Sequence, residues 1–258
     1  MDFDIKNKRV VVSAGGSGIG RAIVEGFIAQ GAQVATCDIN PDFVSDLKAS
    51  FPKLFVRQVD VANKTAVSEF CDDAIRALGG LDCLVNNAGI AGPTLPIEDI
   101  PQDSWQACLD VCLNAQYYFI QSCIAALRAS GDASIANLSS AAGKHGFAYR
   151  TPYAAAKWGV IGLTKSLAIE LGDDKIRVNA ILPGLVSGER QRNVLTAKAQ
   201  RLGRSYQEIE AEAFSYTSIK DYVSPQDIAD QIMYLASPAG RRISGQAIAV
   251  DGDTKMLA

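Results

Sequence analysis

Short apolar runs alternate along the chain with longer stretches whose apolar residues return every three or four positions. The runs Val10–Val12, Gln33–Cys37, Leu54–Val59, Leu81–Val85, Ser134–Leu138, Arg177–Leu182 and Ala247–Val250 predict strands. Between them, the helical period predicts helices over Ile19–Gln30, Lys64–Leu78, Ser104–Ala129, Tyr153–Leu171 and Pro225–Ala236. In the first of these, Ile19, Ile23 and Phe27 share one face, and Gly31 suits the residue just past the helix end. The last starts at Ser224-Pro225, an N-cap followed by proline at the first helical position. Strands alternating with helices imply right-handed β-α-β crossovers and a parallel sheet covered on both faces. The expected fold is therefore α/β, a Rossmann-type doubly wound parallel sheet. With no internal repeat and no linker rich in Pro, Gly or Ser, residues 1–258 read as a single domain. Ligands of such a sheet bind at the carboxyl ends of its strands.

Composition narrows the partners. At 258 residues, with 48% hydrophobic and 21% charged residues, the chain can bury a large core. A net charge of −3 without any basic run argues against nucleic acid. No apolar stretch reaches spanning length, and the start MDFDIKNKR lacks the apolar segment of a signal peptide. A cytoplasmic protein without a membrane partner is the expectation. Six scattered cysteines with no CxxC, beside one histidine, predict reduced and mostly buried thiols with no metal site.

Three clusters carry chemistry. The first is "SAGGSGIG", Ser13 to Gly20, between the first strand and the first helix. The unsatisfied N–H groups and positive dipole end of that helix favour a pyrophosphate. Gly18 and Gly20 would let the backbone approach it, Gly15 and Gly16 would make the bend, and Ser13 and Ser17 offer hydroxyls. Taken alone, the loop is also compatible with a glycine turn that binds nothing. The second cluster is Asp38, at the end of the second strand and 18 residues beyond Gly20. A carboxylate at that distance can accept hydrogen bonds from both ribose hydroxyls of an adenosine and would repel a 2′-phosphate. The pair predicts NAD rather than NADP. The third is "YAAAK", which places Tyr153 and Lys157 on one helix face. An ammonium beside a phenol favours the phenolate, and such a tyrosine can exchange a proton with a substrate oxygen. Ser140, thirteen residues earlier at the end of the fifth strand, could orient that oxygen. No G-x-S-x-G elbow is present, and His145 reads as a polar loop residue rather than a base.

With these motifs in this order, the sequence resembles the short-chain dehydrogenase/reductases of roughly 250 residues, over essentially its whole length. Ser13-Ala14-Gly15-Gly16-Ser17-Gly18-Ile19-Gly20 fills that family's TGxxxGxG loop. Asp60-Val61 is similar to the pair beside the adenine ring, and Asn86-Asn87-Ala88-Gly89 to the NNAG motif beside the adenine ribose. Ser140, Tyr153 and Lys157 fall on the catalytic serine, tyrosine and lysine. Arg177 to Gly184 resembles the segment leading to the nicotinamide, with Val186 placed at its carboxamide. The resemblance implies hydride transfer between NAD and a secondary alcohol or ketone. Tyr153 would be the acid/base, Ser140 would hold the substrate oxygen, and Lys157 would hold the nicotinamide ribose. It also implies a homo-oligomer, a tetramer or dimer, packed through the two long helices and the last strand.

Departures from the pattern are as informative. Ala14 replaces the loop's first glycine and Ser13 its threonine; the expectation is that position 14 needs no positive φ. Aligned from Trp105, the family's catalytic asparagine falls on Cys112, while Asn114 lies about 200° further round a regular helix. The resemblance assigns that asparagine's backbone carbonyl to a relay water, and Cys112 keeps a carbonyl. Gly188 stands where a threonine is expected, and VDGG becomes Val250-Asp251-Gly252-Asp253. The segment 185–222 is a long polar substrate lid, expected to form two short helices. Arg190 in that segment and Arg150, three residues before Tyr153, are candidate substrate contacts, against a plainer reading of a solvated lid whose arginines are balanced by Glu189, Glu208, Glu210 and Glu212. The leading expectation is an NAD-dependent dehydrogenase of a sugar, polyol or hydroxy acid. A 3-oxoacyl-thioester reductase and a catalytically idle NAD-binding regulator are the alternatives.

Overall fold

A computed structural model of the chain describes residues 2–257. Seven parallel strands form one sheet in the order β3-β2-β1-β4-β5-β6-β7. They are β1 (Arg9–Ser13), β2 (Gln33–Asp38), β3 (Phe55–Gln58), β4 (Cys83–Asn86), β5 (Ala133–Leu138), β6 (Ile176–Pro183) and β7 (Ala247–Val250). The strands read as continuous apolar runs because both faces of the sheet are covered. Val10 and Val12 enter one core with Ile23, Phe27, Ile228 and Ile232, whereas Val11 between them enters the other with Phe70, Phe119 and Leu127. All of these side chains are almost fully buried, each contributing on the order of 1.5–3 kcal/mol of hydrophobic free energy.

The helices follow the expected alternation: α1 (Gly18–Ala29), α2 (Pro41–Ser50), α3 (Lys64–Leu78), α4 (Gln102–Leu109), α5 (Ala115–Ser130), α6 (Thr151–Glu170), α7 (Glu189–Leu202), α8 (Tyr206–Ser215) and α9 (Pro225–Ala236). Helix α9 starts as predicted, with a capping box between Ser224 and Asp227. The segment 185–222 does form two helices, as expected of it, the second opened by a Ser205–Glu208 capping box. Helix α2 was not foreseen. It buries only Val44 and Leu47, too little to mark a helical period, although its Asn40 cap and Pro41 are start signals. The predicted uninterrupted helix 104–129 is instead α4 and α5 joined by a π turn at Asp110–Asn114.

The chain winds outward from β1 in one direction and from β4 in the other. The carboxyl ends of these two neighbours therefore flank the topological switch point. The loop after β1, the end of β2 at Asp38, the loop after β4 and the end of β5 at Leu138 all open onto that edge.

Candidate active site

The loop after β1 is tied down on several sides. The Ser13 hydroxyl, almost fully buried, accepts the N–H groups of Asn87 (2.9 Å) and Ala88 (3.0 Å). The Asn87 amide donates to the carbonyls of Ser13 (3.1 Å) and Ala14 (2.9 Å). Both residues thus spend their side chains joining the first loop to the NNAG loop. Gly15 N–H reaches Cys37 O at 3.0 Å. These ties hold Ala14 at φ +54°, in the left-handed region, which corrects the expectation that alanine is accepted there because positive φ is not required. The alanine is accepted although positive φ is adopted, at a cost of about 1–2 kcal/mol. Asp253, in place of the second glycine of VDGG, likewise adopts φ +57°, with its N–H capped by Asp251 Oδ1.

Glycine is required where the cradle is tightest. A Cβ on Gly20 would lie 2.0 Å from Ala14 O, and one on Gly16 would lie 2.7 Å from Asp38 Oδ2. Asp38 is buried; Oδ2 accepts Gly16 N–H (2.9 Å) and Oδ1 accepts Asn40 N–H (3.0 Å). Its carboxylate is therefore fixed beside the loop, at the end of β2. Two bare glycines opposite a helix N-terminus and an oriented carboxylate fit the diphosphate and the vicinal ribose hydroxyls of NAD. Asp60, with Oδ1 on Ala62 N–H, and the buried Val61 lie in the turn just past β3. A Cβ on Gly184 would meet the Asp251 backbone at 2.7 Å, and Val186 bridges to Val223. Gly188, where the family has threonine, is the N-cap of α7 at φ 140°.

Ser140, Tyr153 and Lys157 come together at the same edge. Ser140, two residues past β5, caps a short 3-10 turn, its hydroxyl accepting Ala142 N–H at 3.1 Å, so its own proton is free to donate. That turn presses on α6: Ser139 Oγ donates to Lys157 O at 2.8 Å, and a Cβ on Gly143 would lie 2.8 Å from the same carbonyl. Lys157, buried, donates from Nζ to Leu138 O at 2.7 Å and lies 5.7 Å from the centre of the Tyr153 ring. His145 binds Thr254 O through Nε2 and takes no part.

Around Tyr153 and Lys157 lie the two arginines and the cysteine that the sequence singled out, together with Cys108 and Gln116, which it did not. Arg150, just ahead of α6 and only 3% exposed, lies 5.0 Å from the ring centres of both Tyr153 and Phe147. It donates to Ala91 O, and burial pulls its guanidinium below the ordinary arginine range. Arg190, at the start of α7, reaches back to the triad. A Cβ on Gly89 would sit 3.6 Å from Lys157 Nζ, 3.7 Å from Arg190 Nη2 and 3.8 Å from Cys112 Sγ. Cys112 Sγ accepts Ile90 N–H at 3.4 Å and faces Ile90 O at 3.5 Å. The Cys108 thiol on the preceding turn donates to it, and with Lys157 this lowers the Cys112 thiol while Cys108 is raised. Asn114 spends its amide on Asp110 and leaves the site to Cys112. Gln116 occupies the Cys112 carbonyl, at 3.3 Å, and bonds Leu138 O at 3.1 Å. Its position one turn beyond Cys112 was the only available clue. A separate cavity of about 530 Å³, lined by residues including Arg192, Tyr206, Glu210 and Tyr222, lies between the lid helices and includes none of the triad.

A family model described as Enoyl-(Acyl carrier protein) reductase matches residues 13–253. The probable galactose dehydrogenase GalD of Rhizobium meliloti (strain 1021) is 36% identical over 256 residues, covering 96% of this chain and 95% of that protein. The chain belongs to the short-chain dehydrogenase/reductase family. The 2-dehydro-3-deoxy-L-rhamnonate dehydrogenase (NAD(+)) of Sphingomonas sp. (strain SKA58) is 37% identical over 67% of this chain and 70% of that protein. Among solved structures, 7 alpha-hydroxysteroid dehydrogenase complexed with NADH and 7-oxo glycochenodeoxycholic acid superposes with a TM-score of 0.90 at 29% identity. It covers 100% of this chain and 98% of that one. In this short-chain dehydrogenase/reductase, Cys112, on which the resemblance puts the family's asparagine, is fully buried.

Proposed function

We propose that the protein is an NAD-dependent dehydrogenase acting on a secondary hydroxyl of a small polar molecule such as a sugar, polyol or hydroxy acid. The observation that carries this reading is the shared edge. Asp38, fixed by Gly16 and Asn40, opens onto the same end of the sheet as Ser140, Tyr153 and Lys157. The loop from Gly15 to Gly20 would hold the pyrophosphate, Asp38 the adenosine ribose, and Asp60, Val61, Ala88 and Gly89 the walls about the adenosine. Lys157, Gly184 and Val186 would border the nicotinamide end. When bound, NAD supplies the carbon that accepts or returns the hydride. Ser140 donates its free proton to the substrate oxygen and orients it. Tyr153 removes or restores the proton on that oxygen as general base or acid. Lys157, anchored on Leu138 O, holds a positive charge 5.7 Å from the centre of the Tyr153 ring.

The protein works as a homo-oligomer in the cytoplasm on this reading. Tyr117 on α5, and Trp158 and Ile169 on α6, are exposed apolar surface at the helices expected to pair. Among the described residues, no helix is long and apolar enough to cross a membrane. The deciding experiment pairs a Tyr153→Phe substitution with cofactor titrations. Turnover should fall on the order of 10²–10⁴-fold while NADH still binds. Undiminished turnover, or tighter binding of NADPH than of NADH, would overturn the reading.

A further inference from the structure

Three cations converge where the substrate must lie, and no acidic side chain answers them. Arg150 and Lys157 lie 5.0 and 5.7 Å from the centre of the Tyr153 ring. Arg190 Nη2 and Lys157 Nζ approach the same point beside Gly89. Among the described residues, neither arginine forms an ion pair with a carboxylate. The charges that act on the buried Arg150 come from Tyr153, Arg190, Cys108 and Cys112, none of them a carboxylate. Even with Cys112 ionised and Tyr153 acting as the base, three positive groups face two negative ones. Arg150 also leaves its Nε without an acceptor although the residue is 97% enclosed. An enclosed cation with an unmade hydrogen bond is costly unless an acceptor arrives from outside the chain.

We infer that the substrate is a polyhydroxy carboxylate, whose carboxylate binds in the positive field of Arg190 and Arg150 while its carbinol faces Ser140 and Tyr153. This rests on the dehydrogenase reading above and adds the substrate's charge to it. Arg190 is the direct partner, because it is solvent-exposed at the start of the lid and its planar fork matches a carboxylate. Arg150, held by Ala91 O between two aromatic rings, supplies a fixed charge behind the site. The alternative cavity between α7 and α8 has no such excess of positive charge, because Glu210, which accepts from Tyr206 and Tyr222, balances Arg192 in its lining.

The test uses matched acid and neutral pairs with NAD+ on the full-length enzyme: D-galactonate with galactitol, and D-gluconate with sorbitol. Acids should exceed their neutral partners in kcat/KM, and Arg190→Ala should collapse that ratio by about 10–100-fold through KM. The KM for NAD+ should stay within a few-fold. Arg150→Met, checked for folding by its thermal transition, should lower the ratio in the same direction. Equal or better turnover of the neutral partners would overturn the proposal and leave the dehydrogenase reading standing. A rise in KM for NAD+ alone would reassign Arg190 to the cofactor and equally overturn it. If no pair is turned over, D-gluconate and D-galactonate are titrated calorimetrically into NADH-loaded wild type and Arg190→Ala. Saturable binding that Arg190→Ala weakens about tenfold or more supports the proposal, and any other outcome defeats it.

Discussion

Replacing Ala14 by glycine should stabilise the protein, against the usual direction for a glycine substitution. Ala14 sits at φ +54° because Asn87 holds its carbonyl and Gly15 is pinned to Cys37. An L-residue there costs about 1–2 kcal/mol, which glycine removes. Against this, glycine loses more backbone entropy on folding, about 0.5–1 kcal/mol, and the half-buried methyl gives up some contact with the second core. With both offsets taken off, the net gain is about 0.5 kcal/mol. For a domain of this size, that raises Tm by roughly 1–2 °C. Calorimetry of the cofactor-free protein at fixed concentration measures the shift, and Gly18→Ala supplies its mirror image. Gly18 is at φ +51°, and a Cβ there meets nothing within 4 Å, so only strain is added. That variant should lose roughly the amount that Ala14→Gly gains. A lower Tm for Ala14→Gly, or no loss for Gly18→Ala, would refute the strain argument.

Gly20→Ala should weaken NADH binding at least tenfold, measured by fluorescence titration, because its Cβ would lie 2.0 Å from the Ala14 carbonyl and push the cradle open. At the far end of the sheet, burial raises the Asp82 carboxyl, but hydrogen bonds from Arg9 and Ser130 outweigh it and bring it down to about 2. A depressed carboxyl contributes stability above its unfolded value near 4 and loses it as pH falls toward 2. Asp82→Asn should therefore cost about 1–2 kcal/mol at pH 7 after allowing for partial exposure, a difference that shrinks through that acid window in urea titrations. Cys112→Asn should keep kcat within a few-fold of wild type. Cys112→Ala, which strands the Ile90 N–H, should lose about 1–3 kcal/mol of stability in the same denaturation assay.

The strands were legible because a parallel strand buried on both faces has no polar alternation to blur it, as Val10-Val11-Val12 shows by feeding two cores at once. The shared placement of Tyr153 and Lys157 was legible because they lie within one helix, where spacing fixes the shared face. What stayed hidden depends on partners distant in sequence. Ala14 takes positive φ only because Asn87, 73 residues away, holds its carbonyl. The π turn at Asp110–Asn114 leaves the apolar pattern of its helix almost unchanged, so periodicity cannot register it. The arrangement of Arg150 between Phe147 and Tyr153 follows from the folding of 147–153 back onto the loop after β4, which no local propensity encodes.

The cysteine at the asparagine position makes sense through its partners rather than its reactivity. Its sulfur takes a hydrogen bond from Ile90 N–H and, when protonated, gives one to Ile90 O, so one small group serves both backbone atoms of the loop beside Gly89. An asparagine amide offers the same donor and acceptor in one neutral side chain. The carbonyl of residue 112 then follows a different course. Gln116 takes it, and the same Gln116 nitrogen bonds the Leu138 carbonyl that anchors Lys157. A water on the Cys112 carbonyl, which the family resemblance implied, would have to share it with that amide. Gln116 keeps an unsatisfied buried Oε1, the one acceptor in this chain of contacts with no donor yet assigned. The link between Lys157 and α5 thus runs through a glutamine side chain, and the thiol's part is to hold the NNAG loop in register with it.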